Sequence, residues 1–161
     1  MQNKYKLPPD VRRTVIGLVQ GYNRRKRELL KSEEEICSVG SARYETLHHS
    51  DSPEDDERVY LPSGKGGVSF PVESQAFALM NLHNSFDYTC NRIIEKALEE
   101  LPMYYYNKDL VSKIKKNLIL SCELGKKFSY PYWEIIGIDK STFYRIRQHF
   151  LYIIAQKFNF I

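Results

Sequence analysis

The residues whose types could do chemistry are concentrated near the carboxyl terminus, where several side chains carry groups that hydrogen-bond to the edges of nucleic-acid bases. They are Lys140, Ser141, Tyr144, Arg145 and Gln148. On a helix, the first four fall in the first two turns and on the outward side. Since an arginine can donate two hydrogen bonds to guanine O6 and N7, we expect this group to read bases in double-stranded DNA. The alternative for each member is a solvated surface side chain.

A second group carries the charge or the hydroxyl that a contact with phosphate requires. Its members are Lys126, Lys127, Thr142 and Arg147. Contacts of this kind fix the position of a protein on a duplex without reading the sequence of the bases. We therefore predict two sets of DNA contacts in the carboxyl-terminal part of the chain, one for bases and one for phosphates.

The charge distribution favours the same partner. The net charge is +4 over 161 residues. Residues 1–31 hold nine Lys or Arg against two acidic residues, and residues 108–161 hold ten against four. The middle is acidic, with two against nine in residues 32–60 and three against five in residues 61–107. Two basic ends suit a polyanion, although runs of charge also occur on solvated helix faces.

Other kinds of site have little support in the sequence. His48 and His49 have no cysteine or third histidine nearby, so no metal site is expected. The glycine-rich segment Ser63–Gly67 lacks the Walker spacing, because Val59 and Gly66 stand where a glycine and a Ser or Thr are needed. The sequence has no nucleophile paired with a base and no cluster of catalytic carboxylates, so we expect neither enzyme activity nor a cofactor.

Three helices are predicted to position the candidate residues. The first spans Lys108–Leu124, where apolar residues recur every three or four positions, and Gly125 suits its end. A short helix at Tyr132–Ile136 is followed by a glycine turn and by a longer helix over Lys140–Phe158, which Asp139 caps. The buried stripe of the last helix comprises Phe143, Ile146, Phe150, Ile153, Ile154 and Phe158. A short helix, a tight turn and a basic amphipathic helix form a helix-turn-helix, whose second helix enters the major groove.

The rest of the chain completes an all-α prediction in three parts. Residues 1–31 form a basic helix that begins at the Pro8–Pro9 pair, and residues 32–72 form an acidic, glycine-rich linker. Residues 73–161 contain a long helix over Glu73–Leu101 and then the helix-turn-helix. The apolar stripe of the long helix, with His83 as a packed histidine, is interpreted as core or alternatively as a dimer seam.

Composition limits the kind of protein. With 42% hydrophobic and 27% charged residues, the chain suits one soluble domain. No stretch approaches eighteen consecutive apolar residues, and the first thirty residues lack a secretory signal, so we expect a cytoplasmic protein. Three widely spaced cysteines fit neither a disulfide framework nor a zinc knuckle and are expected to be reduced.

Two local patterns resemble a family of phage regulators. Ile138–Arg145 resembles the V-S-x-x-T-V-Y-R signature of helix-turn-helix segments such as region four of bacterial sigma factors, with Asp139 in the position of the capping serine. Gly66–Pro71 resembles the glycine-rich entry to the long helix in phage transcription regulators of the RinA and ArpU type. The resemblance extends from Gly66 to the carboxyl terminus. It departs at Tyr130–Trp133, which is more aromatic than the small-residue entry typical of the family.

The resemblance implies a transcription regulator of phage or prophage late genes in a bacterial host cell. Its partners would be double-stranded DNA, RNA polymerase and further copies of the chain, with no membrane contact. Two alternatives stay open. A DNA-packaging protein like a terminase small subunit would form rings with a large terminase, and a protein adaptor with basic ends would have no affinity for DNA at moderate salt.

Overall fold

The computed structural model describes residues 5–48, 71–103, 106–131, 135 and 137–161. Over these ranges the chain is all-α, as predicted, with six α-helices and no strand. The helices are α1 (Pro9–Gln20), α2 (Tyr22–His48), α3 (Pro71–His83), α4 (Phe86–Glu99), α5 (Lys108–Leu124) and α6 (Lys140–Lys157). A 3₁₀ turn at Gly125–Lys127 follows α5. No helix in the described ranges is long and apolar enough to cross a membrane.

The chain divides into two compact units, of which the first comprises residues 1–26 and 86–161 and the second residues 27–85. In the first unit, α1 packs against α5 and α6, and α4 packs against α6. Fully buried side chains from all four helices form its core, among them Val15, Ile94, Ile114, Phe143 and Phe150. This core fixes one flank of α6 and thereby positions the residues on its other flank.

Helices α5 and α6 confirm the sequence pattern closely. The Asn107 side chain caps α5 by accepting a hydrogen bond of 2.8 Å from the Leu110 N–H. Gly125 follows α5 with a φ of +53°, a conformation that glycine adopts without steric cost. In α6, Asp139 is the amino-terminal cap, as predicted. The expected stripe is buried at Phe143, Phe150, Ile153 and Ile154 and half-buried at Ile146 and Phe158.

The predicted amino-terminal helix is interrupted at Gly21. Glycine is a poor helix former, and at this position the guanidinium of Arg25 occupies the space where a side chain would lie. A Cβ on residue 21 would lie 2.3 Å from Arg25 Nη1, well inside any allowed contact. A side chain at this position would therefore displace Arg25, whereas glycine leaves room for it.

The predicted linker of residues 32–72 begins instead as helix, because α2 does not end near Lys31. Glutamate is a good helix former, and Lys31 and Glu35 form an ion pair of 3.7 Å at the favourable i,i+4 spacing. Within the second unit, the side chain of Gln75 in α3 donates a hydrogen bond of 3.1 Å to the Ile36 carbonyl oxygen. A polar segment with such support folds as a solvated helix.

The predicted long helix Glu73–Leu101 is two helices, α3 and α4, separated at Asn84–Ser85. Asn and Ser side chains compete for backbone hydrogen bonds and therefore favour helix ends over helix interiors. His83, predicted to be a packed core histidine, is exposed, and its Nε2 lies 3.0 Å from the Glu33 carboxylate. The predicted continuous stripe is also broken at Phe86, which is 67% exposed.

Several predicted features lie outside the described residues. They are the short helix Tyr132–Ile136 apart from Ile135, the side chains of His48 and His49, and the glycine-rich segment 63–70. Ile135 itself is buried in the core of the first unit.

Candidate nucleic-acid interface

One carboxylate organises the amino-terminal end of α6. Asp139 accepts hydrogen bonds from the Ser141 hydroxyl at 2.5 Å, from the Thr142 N–H at 2.7 Å and from the Thr142 hydroxyl at 2.8 Å. These bonds favour the ionised carboxylate and hold the pKa of Asp139 well below its ordinary value. A negative cap also complements the positive end of the helix dipole. The start of α6 is therefore well defined.

An aromatic cluster attaches α6 to the segment that precedes it. Phe143 is fully buried. Phe128 stacks on the Phe143 ring with centroids 5.8 Å apart, and Tyr130 meets it edge-on at 5.4 Å. The Tyr130 hydroxyl donates a hydrogen bond to the Ile138 carbonyl oxygen, two residues before α6 begins. The segment before α6 is thus packed, through Phe128 and Tyr130, against the buried Phe143 ring of α6.

The residues predicted to read bases lie in two environments. Lys140, Ser141 and Arg145 are exposed, whereas Tyr144 and Gln148 are half-buried. The Tyr144 ring packs edge-on against Phe143, with centroids 5.6 Å apart. Three exposed polar side chains thus lie in the first two turns of α6, and we call Lys140, Ser141 and Arg145 the leading end of α6. Within it, the Ser141 hydroxyl proton is directed to Asp139, which leaves the oxygen as an acceptor.

Of the residues predicted to contact phosphate, two precede α6 by more than twelve positions and one lies in its first turn. Lys126 and Lys127 are exposed on the 3₁₀ turn after α5. Thr142 is half-buried, and its hydroxyl donates to Asp139 and accepts a hydrogen bond of 3.5 Å from Arg145. The Thr142 hydroxyl therefore belongs to the cap, while the two lysines are available to solvent.

Arg147 is placed differently from the other predicted phosphate contacts. Its Nη2 donates to the Ser121 carbonyl oxygen at 3.5 Å and lies 3.8 Å from Cys122 Sγ. Its Nε is buried and has no hydrogen-bond partner among the described residues. Burial raises the pKa of the Cys122 thiol, so sulfur remains protonated beside the guanidinium. Arg147 thus connects α6 to α5.

No protein-family model, curated protein or solved structure matches this chain. Among the described residues, no group of three or more His, Cys, Asp or Glu side chains could hold a metal ion.

The sequence pattern did not reveal that the amino-terminal segment lies against α6. Tyr5 stacks on His149 with ring centroids 3.9 Å apart, and it meets Tyr152 edge-on at 5.5 Å. His149 and Tyr152 are three residues apart and share a helix face. These two aromatic rings lie on a face beside the buried stripe, and this pattern could have predicted that another segment packs there.

Proposed function

We propose that the protein is a sequence-specific regulator of transcription that binds double-stranded DNA through a helix-turn-helix, with α6 as the recognition helix. The observation that carries the proposal is the leading end of α6. Lys140, Ser141 and Arg145 are exposed there, at the start of a helix that has an amino-terminal cap and a buried aromatic ring in its first turns. The resemblance to phage regulators adds phage or prophage late genes as the genes controlled.

The dimensions of DNA agree with this assignment. The major groove is about 8.5 Å deep, and an α-helix rises about 1.5 Å per residue. A helix that enters end-on therefore places about six residues inside the groove. Counted from Lys140, these six residues include the whole leading end and Tyr144, whereas Gln148 would lie at the rim.

The rigidity of the leading end supports specific recognition. Long cationic side chains lose conformational freedom when they bind, and a backbone that is already fixed reduces that cost. The cap by Asp139 and the packing of Phe143 hold this backbone in the free protein. Lys126 and Lys127 are suited to phosphate contacts that set the register. We assign Arg147 a structural role.

The proposal is tested first by selection. The purified full-length protein is mixed with a random-sequence duplex library, and bound fragments are sequenced over repeated rounds. We expect one enriched sequence motif whose binding weakens steeply as salt rises. Recovery of unenriched sequences would contradict specific recognition. Absence of any duplex binding at moderate salt would favour the protein adaptor, and ring assembly with a large terminase would favour the packaging protein.

Arg145→Ala then tests the leading end. If Arg145 contacts a base, its removal lowers affinity for the selected duplex by about 1–3 kcal/mol and relaxes the preference at one position. Lys116→Ala is the matched control, because Lys116 is an exposed cation on α5. Titrations of both variants with the selected duplex and a scrambled duplex give the result. An equal loss on both duplexes would make Arg145 a phosphate contact instead.

A further inference from the structure

A basic cleft lies between the amino-terminal segment with α1 on one side and α6 on the other. Its volume is about 810 Å³, and its lining includes Tyr5, Lys6, Arg12, Arg13, Gln148 and Leu151. Three of its ten lining residues are cationic, the other seven are uncharged, and no acidic side chain lines the cleft. In the described part of the chain, no carboxylate forms an ion pair with Lys6, Arg12 or Arg13. The cleft therefore suits an anion from outside the protein.

The position of the cleft along α6 relates it to the leading end. Gln148 lines the cleft and lies three residues after Arg145, which corresponds to about 4.5 Å along the helix. From Lys140 to Gln148 the distance along the axis is about 12 Å, more than the depth of the major groove of about 8.5 Å. With α6 entering the groove end-on, the cleft is thus at the level of the sugar-phosphate backbone when the leading end reaches the bases.

We infer that this cleft binds the phosphate backbone beside the site that the leading end reads, with Arg12 and Arg13 as the principal contacts and Lys6 beside them. The inference rests on the proposed function and extends the interface to a part of the chain far away in sequence. Stacking of Tyr5 on His149 holds the amino-terminal segment on α6 before DNA arrives. Arg12 and Arg13 are exposed in the early turns of α1, which the core fixes against α6.

The experiment compares Arg12→Ala/Arg13→Ala with the control Lys113→Ala/Lys116→Ala. Both double variants remove two exposed positive charges, the second pair from α5. Affinities for the selected and the scrambled duplex are measured across a salt series. The slope of log K against log salt should become shallower by about 1.8 in the α1 variant, or about 0.9 for each lost phosphate contact. Between 50 and 200 mM salt this lowers the salt sensitivity of binding by about 12-fold.

The loss of affinity in Arg12→Ala/Arg13→Ala should be equal on the selected and the scrambled duplex, because phosphate contacts carry no sequence information. The control should keep the wild-type slope, and thermal melts should show that both variants stay folded. A wild-type slope of log K against log salt in the α1 variant would overturn the inference. The cleft would then be a candidate site for a small anionic ligand instead. An equal change in the control would also overturn it, since net charge alone would then explain the effect. If the wild-type protein binds no duplex at all, the proposed function fails as well.

Discussion

Two basic regions of the chain have similar side chains and different surroundings. In the run Arg24–Arg27, Arg25 is only 7% exposed. Its Nε donates to Asn91 Oδ1 at 3.1 Å, and its Nη2 donates to the Leu18 carbonyl oxygen at 2.6 Å. Lys26 Nζ lies 3.2 Å from a carboxylate oxygen of Glu95. These charges join α2 to α1 and α4.

At the leading end of α6, Arg145 donates a hydrogen bond of 3.5 Å to the neutral Thr142 hydroxyl. Among the described residues, no carboxylate forms an ion pair with Lys140 or Arg145. An internal partner of opposite charge neutralises a cation and fixes its side chain. An exposed cation without such a partner can still attract an anion from outside the protein. The number of basic residues in a segment therefore does not show how much positive charge is left without a partner in the fold. What matters is whether the fold supplies their counter-charges.

The largest expected effect tests whether the core positions the leading end. Phe143→Ala removes a fully buried ring from the cluster with Phe128 and Tyr130, and should lower the free energy of unfolding by about 3–5 kcal/mol. Phe86→Ala is the control, because its exposed ring should contribute less than about 0.5 kcal/mol. Denaturant titrations followed by circular dichroism measure both. Equal stabilities of the two variants would show that the aromatic cluster does not support α6.

An intermediate effect tests the structural role of the first basic region. Arg25→Ala leaves the buried amide of Asn91 and the Leu18 carbonyl without their donor, which should cost about 1–3 kcal/mol of unfolding free energy. DNA affinity should stay at the wild-type level under conditions where the variant is folded. Arg27→Ala, an exposed neighbour, serves as control and should change stability little. Loss of DNA affinity without loss of stability would remove the distinction between the two regions.

The smallest effect concerns the cap of α6. Because the folded pKa of Asp139 is depressed, its ionised form stabilises the fold above the ordinary value of 3.8, and this contribution is lost as pH falls. Asp139→Asn keeps a capping oxygen without the charge. The variant should therefore melt slightly below wild type at pH 7, and the difference should shrink below pH 4. Thermal melts across this pH range provide the test, and parallel curves for the two proteins would exclude a role for the charge.

Local signals in the sequence predicted the carboxyl-terminal helices well. The Asp139 cap, the glycine after α5 and a regular apolar repeat all act over a few residues, so the extents of α5 and α6 were predictable. The break at Gly21 was not predicted, because an isolated glycine inside a helical pattern is often tolerated. The helical course of α2 through residues 32–48 was missed because an apolar repeat is not required in a solvated helix.

The candidate site was predictable to a similar extent. Helical spacing placed Lys140 and Arg145 outward, and both are exposed. The same spacing indicated that Arg147 lies on the buried stripe, because it follows Phe143 by four residues and precedes Phe150 by three. The cleft between α1 and α6 was not predictable, because it joins residues more than a hundred positions apart.

Gly21 and Arg25 have a further consequence for how the sequence can vary. The missing side chain of Gly21 leaves the space that the Arg25 guanidinium fills, so a larger residue at position 21 would displace Arg25 from its hydrogen bonds to Asn91 and Leu18. A side chain at position 21 is therefore expected to be tolerated better when position 25 no longer carries an arginine.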